Sequence, residues 1–177
     1  MCQALGIDCV EAGEGFTDLS IAAKQTLDLA RDCGVEVQFE IGRKHEGTLT
    51  PQRIKELVTQ GREWLDAGAV RLVIEARESA QGIGLFGAQG ELRRDMADML
   101  LDELPLELLC FEAPTKSSQF ALLKHLGTDV TLSNVRLEEL LRVEIFRRGL
   151  HADSYGDPQL GQWSSQDEDH RLELVAR

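Results

Sequence analysis

A chain of 177 residues, 42% hydrophobic and 28% charged, has the make-up of one globular domain with a sizeable core rather than two. Its formal net charge of −12 argues against a nucleic-acid partner, whose phosphates need a basic face, but leaves room for a small anion held by a few local cations. No apolar run approaches the ~18 residues needed to span a membrane, and the N-terminus lacks a basic stretch followed by an apolar one, so a cytoplasmic enzyme or binding domain with no membrane partner is predicted.

One arrangement recurs five times along the chain: a helical stretch ends in a breaker, and a short apolar strand follows at once. The copies begin at Leu5-Gly6, Cys33-Gly34, Ala67-Gly68, Leu104-Pro105 and Leu126-Gly127, and their strands run to Glu11, Glu40, Glu75, Glu112 and Asn134. Glycine tolerates the left-handed conformation that closes a helix, so each such Gly predicts a C-terminal cap. Between the strands, Thr50-Pro51 predicts an N-cap with proline in the first turn. The helix after it carries Ile54, Leu57, Val58 and Leu65 on one stripe. Leu92, Met96, Met99 and Leu100 make a second stripe, and Leu137, Leu140, Leu141 and Ile145 a third; all three are expected to face the core. Strands alternating with helices of this length predict an α/β fold with a parallel sheet. From His151 onward the chain turns polar, and residues 157–177 read as a C-terminal tail beyond the domain, with Trp163 as an anchor candidate. Cys2, Cys9, Cys33 and Cys110 form no metal-ligand or disulfide spacing and read as buried free thiols in a reducing compartment.

The charged residues concentrate where the strands end. Ligands of parallel β/α folds bind at the carboxyl ends of the strands. Glu11, Glu40, Glu75 and Glu112 gathered there would repel one another unless cations neutralise them or some take up protons. Arg43, Lys44, Arg77 and Lys116 lie in the same loops, and a divalent ion with hard oxygen ligands, Mg²⁺, also suits four carboxylates. Gly82-Ile-Gly84-Leu-Phe-Gly87 spells the G-x-G-x-x-G of dinucleotide-binding loops. A dinucleotide loop needs its first glycine in the turn directly after the strand, with a helix opening within the motif. Here six residues separate Glu75 from Gly82, and the next helix starts only after Gly90. The register excludes that reading and leaves two: a flexible lid or phosphate-embracing turn over Glu75, Arg77 and Glu78, or a plain solvent loop.

Taken together, Val73-Ile-Glu-Ala-Arg-Glu-Ser79 with Gly82, then Phe111-Glu-Ala-Pro114 with Lys116 and Gln119, resemble the phosphosulfolactate synthase family. Supporting matches are Val10-Glu11 with Gly15 and Asp18, Glu40-Ile-Gly-Arg-Lys44, Val130-Thr-Leu-Ser-Asn-Val135, Arg147-Arg-Gly-Leu150 and Asp153-Ser-Tyr-Gly156, all in the family's order from about Cys2 to Gly156. The resemblance implies a (β/α)₈ barrel that adds sulfite to phosphoenolpyruvate with Mg²⁺, giving (2R)-2-phospho-3-sulfolactate on a route to coenzyme M. It implies that Lys44 is the general acid, with Arg43 and Glu78 as further catalytic candidates. Arg77, Lys116, Asn134 and Gly82 become candidates to bind the anionic substrates, and Glu11, Glu40, Glu75 and Glu112 to hold the metal.

Two departures stand out. Gly13-Glu14-Gly15 replaces the family's S-D-G, and the first strand here resembles the fourth of the barrel. Residues 1–156 are therefore expected to form a partial barrel of units four to eight, from a partial sequence, with homo-oligomeric partners covering the open sheet edges, or as a domain settled into an open sheet. The same family includes plant heat-stress-associated relatives, which imply a binding or protection module as the alternative function. A third reading is a barrel enzyme of similar style acting on another phosphorylated enol.

Overall fold

The computed structural model describes residues 3–13, 23–42 and 47–160. Five strands form one sheet: β1 (Cys9–Ala12), β2 (Glu36–Ile41), β3 (Arg71–Ile74), β4 (Leu109–Glu112) and β5 (Thr131–Ser133). Every neighbouring pair is parallel, and the order across the sheet follows the order in the chain, β1-β2-β3-β4-β5. Each crossover moves one place in the same direction, with none of the reversal that marks a doubly wound sheet; this is an arc of a TIM-type barrel, left open. The crossovers carry α1 (Ala23–Asp32), α2 (Pro51–Ala67), α3 (Arg94–Leu101) and α4 (Lys116–Leu126), and α5 (Leu140–Arg147) follows β5.

Local chemistry sets these boundaries where the sequence marks them. The Thr50 hydroxyl accepts the Arg53 amide at 3.2 Å, with Pro51 in the first turn, and Gly68 closes α2 at φ 115°. Thr115 and Ser118 cap α4 reciprocally.

Strand residues alternate between two environments. Val37, Phe39, Ile41, Leu72, Ile74, Leu109 and Phe111 turn outward into one apolar core with the helices. Phe39 stacks on Trp64 of α2 at 3.8 Å between ring centroids, and Phe120 of α4 on Phe146 of α5 at 3.6 Å. The remaining positions (Glu11, Gln38, Glu40, Arg71, Val73, Cys110, Glu112, Thr131 and Ser133) face the hollow of the arc, and most are polar.

Two expectations need correction. The first stripe is buried or nearly so and the second largely so, but Leu137, Leu140 and Leu141 are 82%, 49% and 71% exposed, and α5 buries Val143 and Phe146 instead. Among the described residues that leucine face is left largely uncovered. Of the thiols expected to be buried, Cys9 and Cys33 are exposed; Cys110 is buried, and burial raises its pKa. Leu160, in the segment read as a polar tail, packs into the core, and residues 161–177, with Trp163, lie outside the described residues.

Candidate functional site

A cleft of about 750 Å³ opens at the carboxyl ends of β3, β4 and β5, lined by Gly47, Glu75, Arg77, Glu78, Ser79, Gln81, Gly82, Ile83, Glu112 and Asn134. The register of the sheet decides which carboxylates meet there. Glu75 and Glu112 follow Ile74 and Phe111, which are paired, so the two stand side by side on one rung. Glu40 is paired with Val73, one inward position lower, and Glu11 with Gln38, lower still. At about 3.3 Å per residue, Glu40 sits roughly 7 Å below the pair and Glu11 roughly 13 Å below. Glu11 is also exposed and accepts the Gln38 side-chain amide at 2.9 Å. The expected metal set of Glu11, Glu40, Glu75 and Glu112 therefore does not converge, and among the described residues no three His, Cys, Asp or Glu side chains are grouped to hold a metal. Four strands carrying a glutamate near their ends do not end on the same rung.

The pair that does form is tightly built. Glu75 is 3% exposed. Its Oε1 accepts the Arg77 amide at 2.6 Å, while Oε2 is buried and meets no donor among the described residues. Glu112 Oε2 accepts the amides of Ala76 and Arg77 at 2.8 and 2.9 Å, and the Asn134 side-chain amide lies 3.5 Å from its other oxygen. Burial pushes the Glu112 carboxyl up to about 7, and the neighbouring Glu75 carboxylate adds to the rise, while the two backbone amides oppose it. Glu112 is thereby the carboxyl of this site that takes up a proton near neutral pH.

Backbone strain surrounds the pair. Arg77, Ala80 and Asn134 adopt left-handed φ values of 55°, 48° and 53°, unusual without glycine and costing of order 1–3 kcal/mol each. The carboxylates hold the turn in place, since Arg77 donates its amide to both.

The glycine-rich loop is no plain solvent loop: it folds into a packed turn that lines the cleft beside Glu75, Arg77 and Glu78. Gly82 and Gly87, Ile83 and Phe86, and Phe86 and Leu92 pair across a small hairpin, and Gly84 bridges to Thr48. Ile83, Leu85 and Phe86 are buried, so the loop is a packed wall of the cleft rather than a flexible lid. Gly84 (φ 56°) presses its α-carbon against the Glu75 carbonyl, where a Cβ would collide.

Of the predicted site residues, Glu75, Glu78, Arg77, Gly82, Glu112 and Asn134 line the cleft together. Lys116 does not; its ammonium is 3.4 Å from Asp153 and lies over the Phe120 ring at 5.0 Å. Arg43 and Lys44 lie outside the described residues, whose neighbours Gly42 and Gly47 border Glu75 and Gly82. Gly47, Ser79, Gln81 and Ile83 were not foreseen as lining; the last three lie in the loop of Glu78 already singled out, and Gly47 follows the Arg43–Lys44 segment.

The (2R)-phospho-3-sulfolactate synthase family model matches residues 1–153. The phosphosulfolactate synthase of Methanocaldococcus jannaschii is 36% identical over 161 residues, 88% of this chain and 62% of that protein. That of Methanothermobacter thermautotrophicus is 35% identical over 162 residues (89% and 62%), and that of Bacillus subtilis 28% identical over 157 (87% and 61%). The chain spans about three fifths of the length of these relatives.

Proposed function

The chain belongs to the (2R)-phospho-3-sulfolactate synthase family, and from that premise we propose that it carries the catalytic face of a C–S bond-forming lyase that adds sulfite to phosphoenolpyruvate. The observation that carries the reading is the pair of buried Glu75 and half-buried Glu112 with its left-handed Arg77 turn, set at the carboxyl ends of the strands. Glu75 Oε2, buried without a donor, fits a divalent cation, and Mg²⁺ is typically held by one or two carboxylates with the rest of its shell from water and substrate. Glu75 and Glu112 would hold it, without Glu11 or Glu40. When bound, Mg²⁺ stabilises negative charge building on the substrate carboxylate.

The chain's own residues do the rest. Arg77 and the Asn134 amide orient the anionic substrates in a cleft whose other charges, Glu75, Glu78 and Glu112, are acidic. Sulfite sulfur attacks the methylene carbon and the C–S bond forms as the C=C electron pair moves to the carbon bearing phosphate and carboxylate. Lys44 then gives that carbon a proton, with Arg43 beside it adding positive charge. The product is (2R)-2-phospho-3-sulfolactate. We place the protein in the cytoplasm and infer that a second copy covers its open sheet edges. The open edges favour one other reading, a non-catalytic binding module.

The test is phosphoenolpyruvate consumption by the full chain with sulfite and Mg²⁺, followed by phosphorus NMR. Sulfite-dependent loss with a phosphorylated sulfonate appearing supports the synthase. A folded protein that consumes nothing favours the binding module.

A further inference from the structure

Gln119 belongs to the family-like segment but has no part in the cleft lining. It is completely buried among apolar α4 neighbours, Phe120, Leu122 and Leu123. Its amide is fully engaged. Nε2 donates to the Ala113 carbonyl at 3.0 Å and to Glu139 Oε2 at 2.7 Å, and Oε1 accepts from Arg142 at 3.3 Å. Arg142 in turn pairs with Glu139 at 2.7 Å. Capping of α4 does not require it, because Thr115 and Ser118 already satisfy that helix start. What it holds is the residue directly after Glu112. Ala113 donates its N–H to the Ser133 carbonyl at 2.9 Å and gives its own carbonyl to Gln119, so the backbone leaving Glu112 is clamped from the sheet on one side and the helix on the other. Glu112 needs that clamp: one carboxylate oxygen must meet the Ala76 and Arg77 amides together.

We propose that Gln119 is a positioning residue that sets the Glu112 carboxylate through the Ala113 carbonyl, with Glu139 and Arg142 of the following unit fixing the Gln119 amide. The orientation of one carboxylate of the β3–β4 pair thus depends on the segment that follows β5. Groups one layer behind a functional carboxylate typically cost 10–100-fold in affinity or activity when lost. The ligand-binding consequence rests on the synthase reading; the geometric one does not.

The test uses the full chain as Gln119→Met, Glu139→Gln and, as the reference in which the two amides have lost their acceptor, Glu112→Ala. The backbone amide NMR signals of Ala76 and Arg77 report whether the Glu112 carboxylate is in place. The expected result is a folded Q119M protein in which these two signals move toward their E112A positions, and in which phosphoenolpyruvate with Mg²⁺ binds about tenfold or more weakly. E139Q should move the same two signals by less, and it carries the test alone should Q119M fail to fold. If those signals stay at their wild-type positions in the folded variants, Gln119 is a packing residue and the proposal falls. Wild-type protein that binds no phosphoenolpyruvate would count against the synthase reading, while the amide signals would still decide the role of Gln119.

Discussion

Glu75 and Glu112 show how a site can be set by the position of a few oxygens. Glu75 Oε2 is a buried acceptor that meets no donor among the described residues, so Glu75→Gln, which keeps the shape and the Arg77 contact, should weaken Mg²⁺ binding in calorimetry by at least the ~10-fold that loss of an outer-shell partner costs. Equal affinity in both proteins would remove Glu75 from the metal shell. For Glu112 the folded pKa of about 7 lies above the ordinary 4.5, with burial the main cause. The folded protein therefore holds more protons than the unfolded chain between those values, and this group's effect on stability turns unfavourable as pH rises through that window, levelling off above about 7. Glu112→Gln resembles the protonated state at every pH. Urea unfolding at pH 5 and pH 8 should show wild type losing more stability across the interval than the variant; parallel losses would mean that Glu112 titrates normally. The identity of these residues was legible in the sequence, from glutamates at successive strand ends. Their grouping was not, because it depends on which rung each strand reaches, and a shift of two residues moves a carboxylate by roughly 7 Å.

Among the elements, the strands and most helices were legible because breakers and caps are local: Gly68 closes α2 and Thr50 opens it within a few residues of where the pattern indicates. The glycine-rich loop was not, because its spacing matches a familiar motif while its geometry serves a hairpin. Left-handed backbone at Arg77 and Asn134 carries no glycine to announce it. The hairpin makes a contrast between two glycines testable. Gly82 and Gly84 both have positive φ, 61° and 56°, but a Cβ on Gly82 meets open space, whereas on Gly84 it meets the Glu75 carbonyl, a backbone atom that cannot swing aside. Gly82→Ala should cost roughly 1–2 kcal/mol, the left-handed penalty alone. Gly84→Ala should cost clearly more and weaken Mg²⁺ binding as well, by displacing Glu75. Thermal unfolding of the two variants checks the order; similar midpoints would show that the loop does not brace Glu75.

At the scale of the whole molecule, β1 and β5 each have one unpaired side among the described residues, and exposed apolar residues occur in the segments next to both. Leu5 and Leu29, 68% and 66% exposed, lie before β1 and in α1; Leu137, Leu140 and Leu141 lie in the segment that follows β5. Sequence periodicity identified that third stripe as apolar, but periodicity reports a helix face and not whether anything covers it, which is why its burial was misjudged. Exposed edges with apolar flanks favour association, whereas a net charge of −12 opposes it through long-range repulsion that salt screens. The balance gives the association a definite salt dependence. Sedimentation velocity should show assemblies whose share grows with concentration and grows again as ionic strength rises from about 10 mM to 150 mM, where the Debye length shortens from ~30 Å to ~8 Å. Leu137→Ser with Leu141→Ser should reduce the assembled fraction without lowering the unfolding midpoint, since neither side chain is in the core. Assemblies that dissolve as salt is added would point to ion pairs at the contact instead, and a monomer at every concentration would mean that the leucine face does not join copies of this chain.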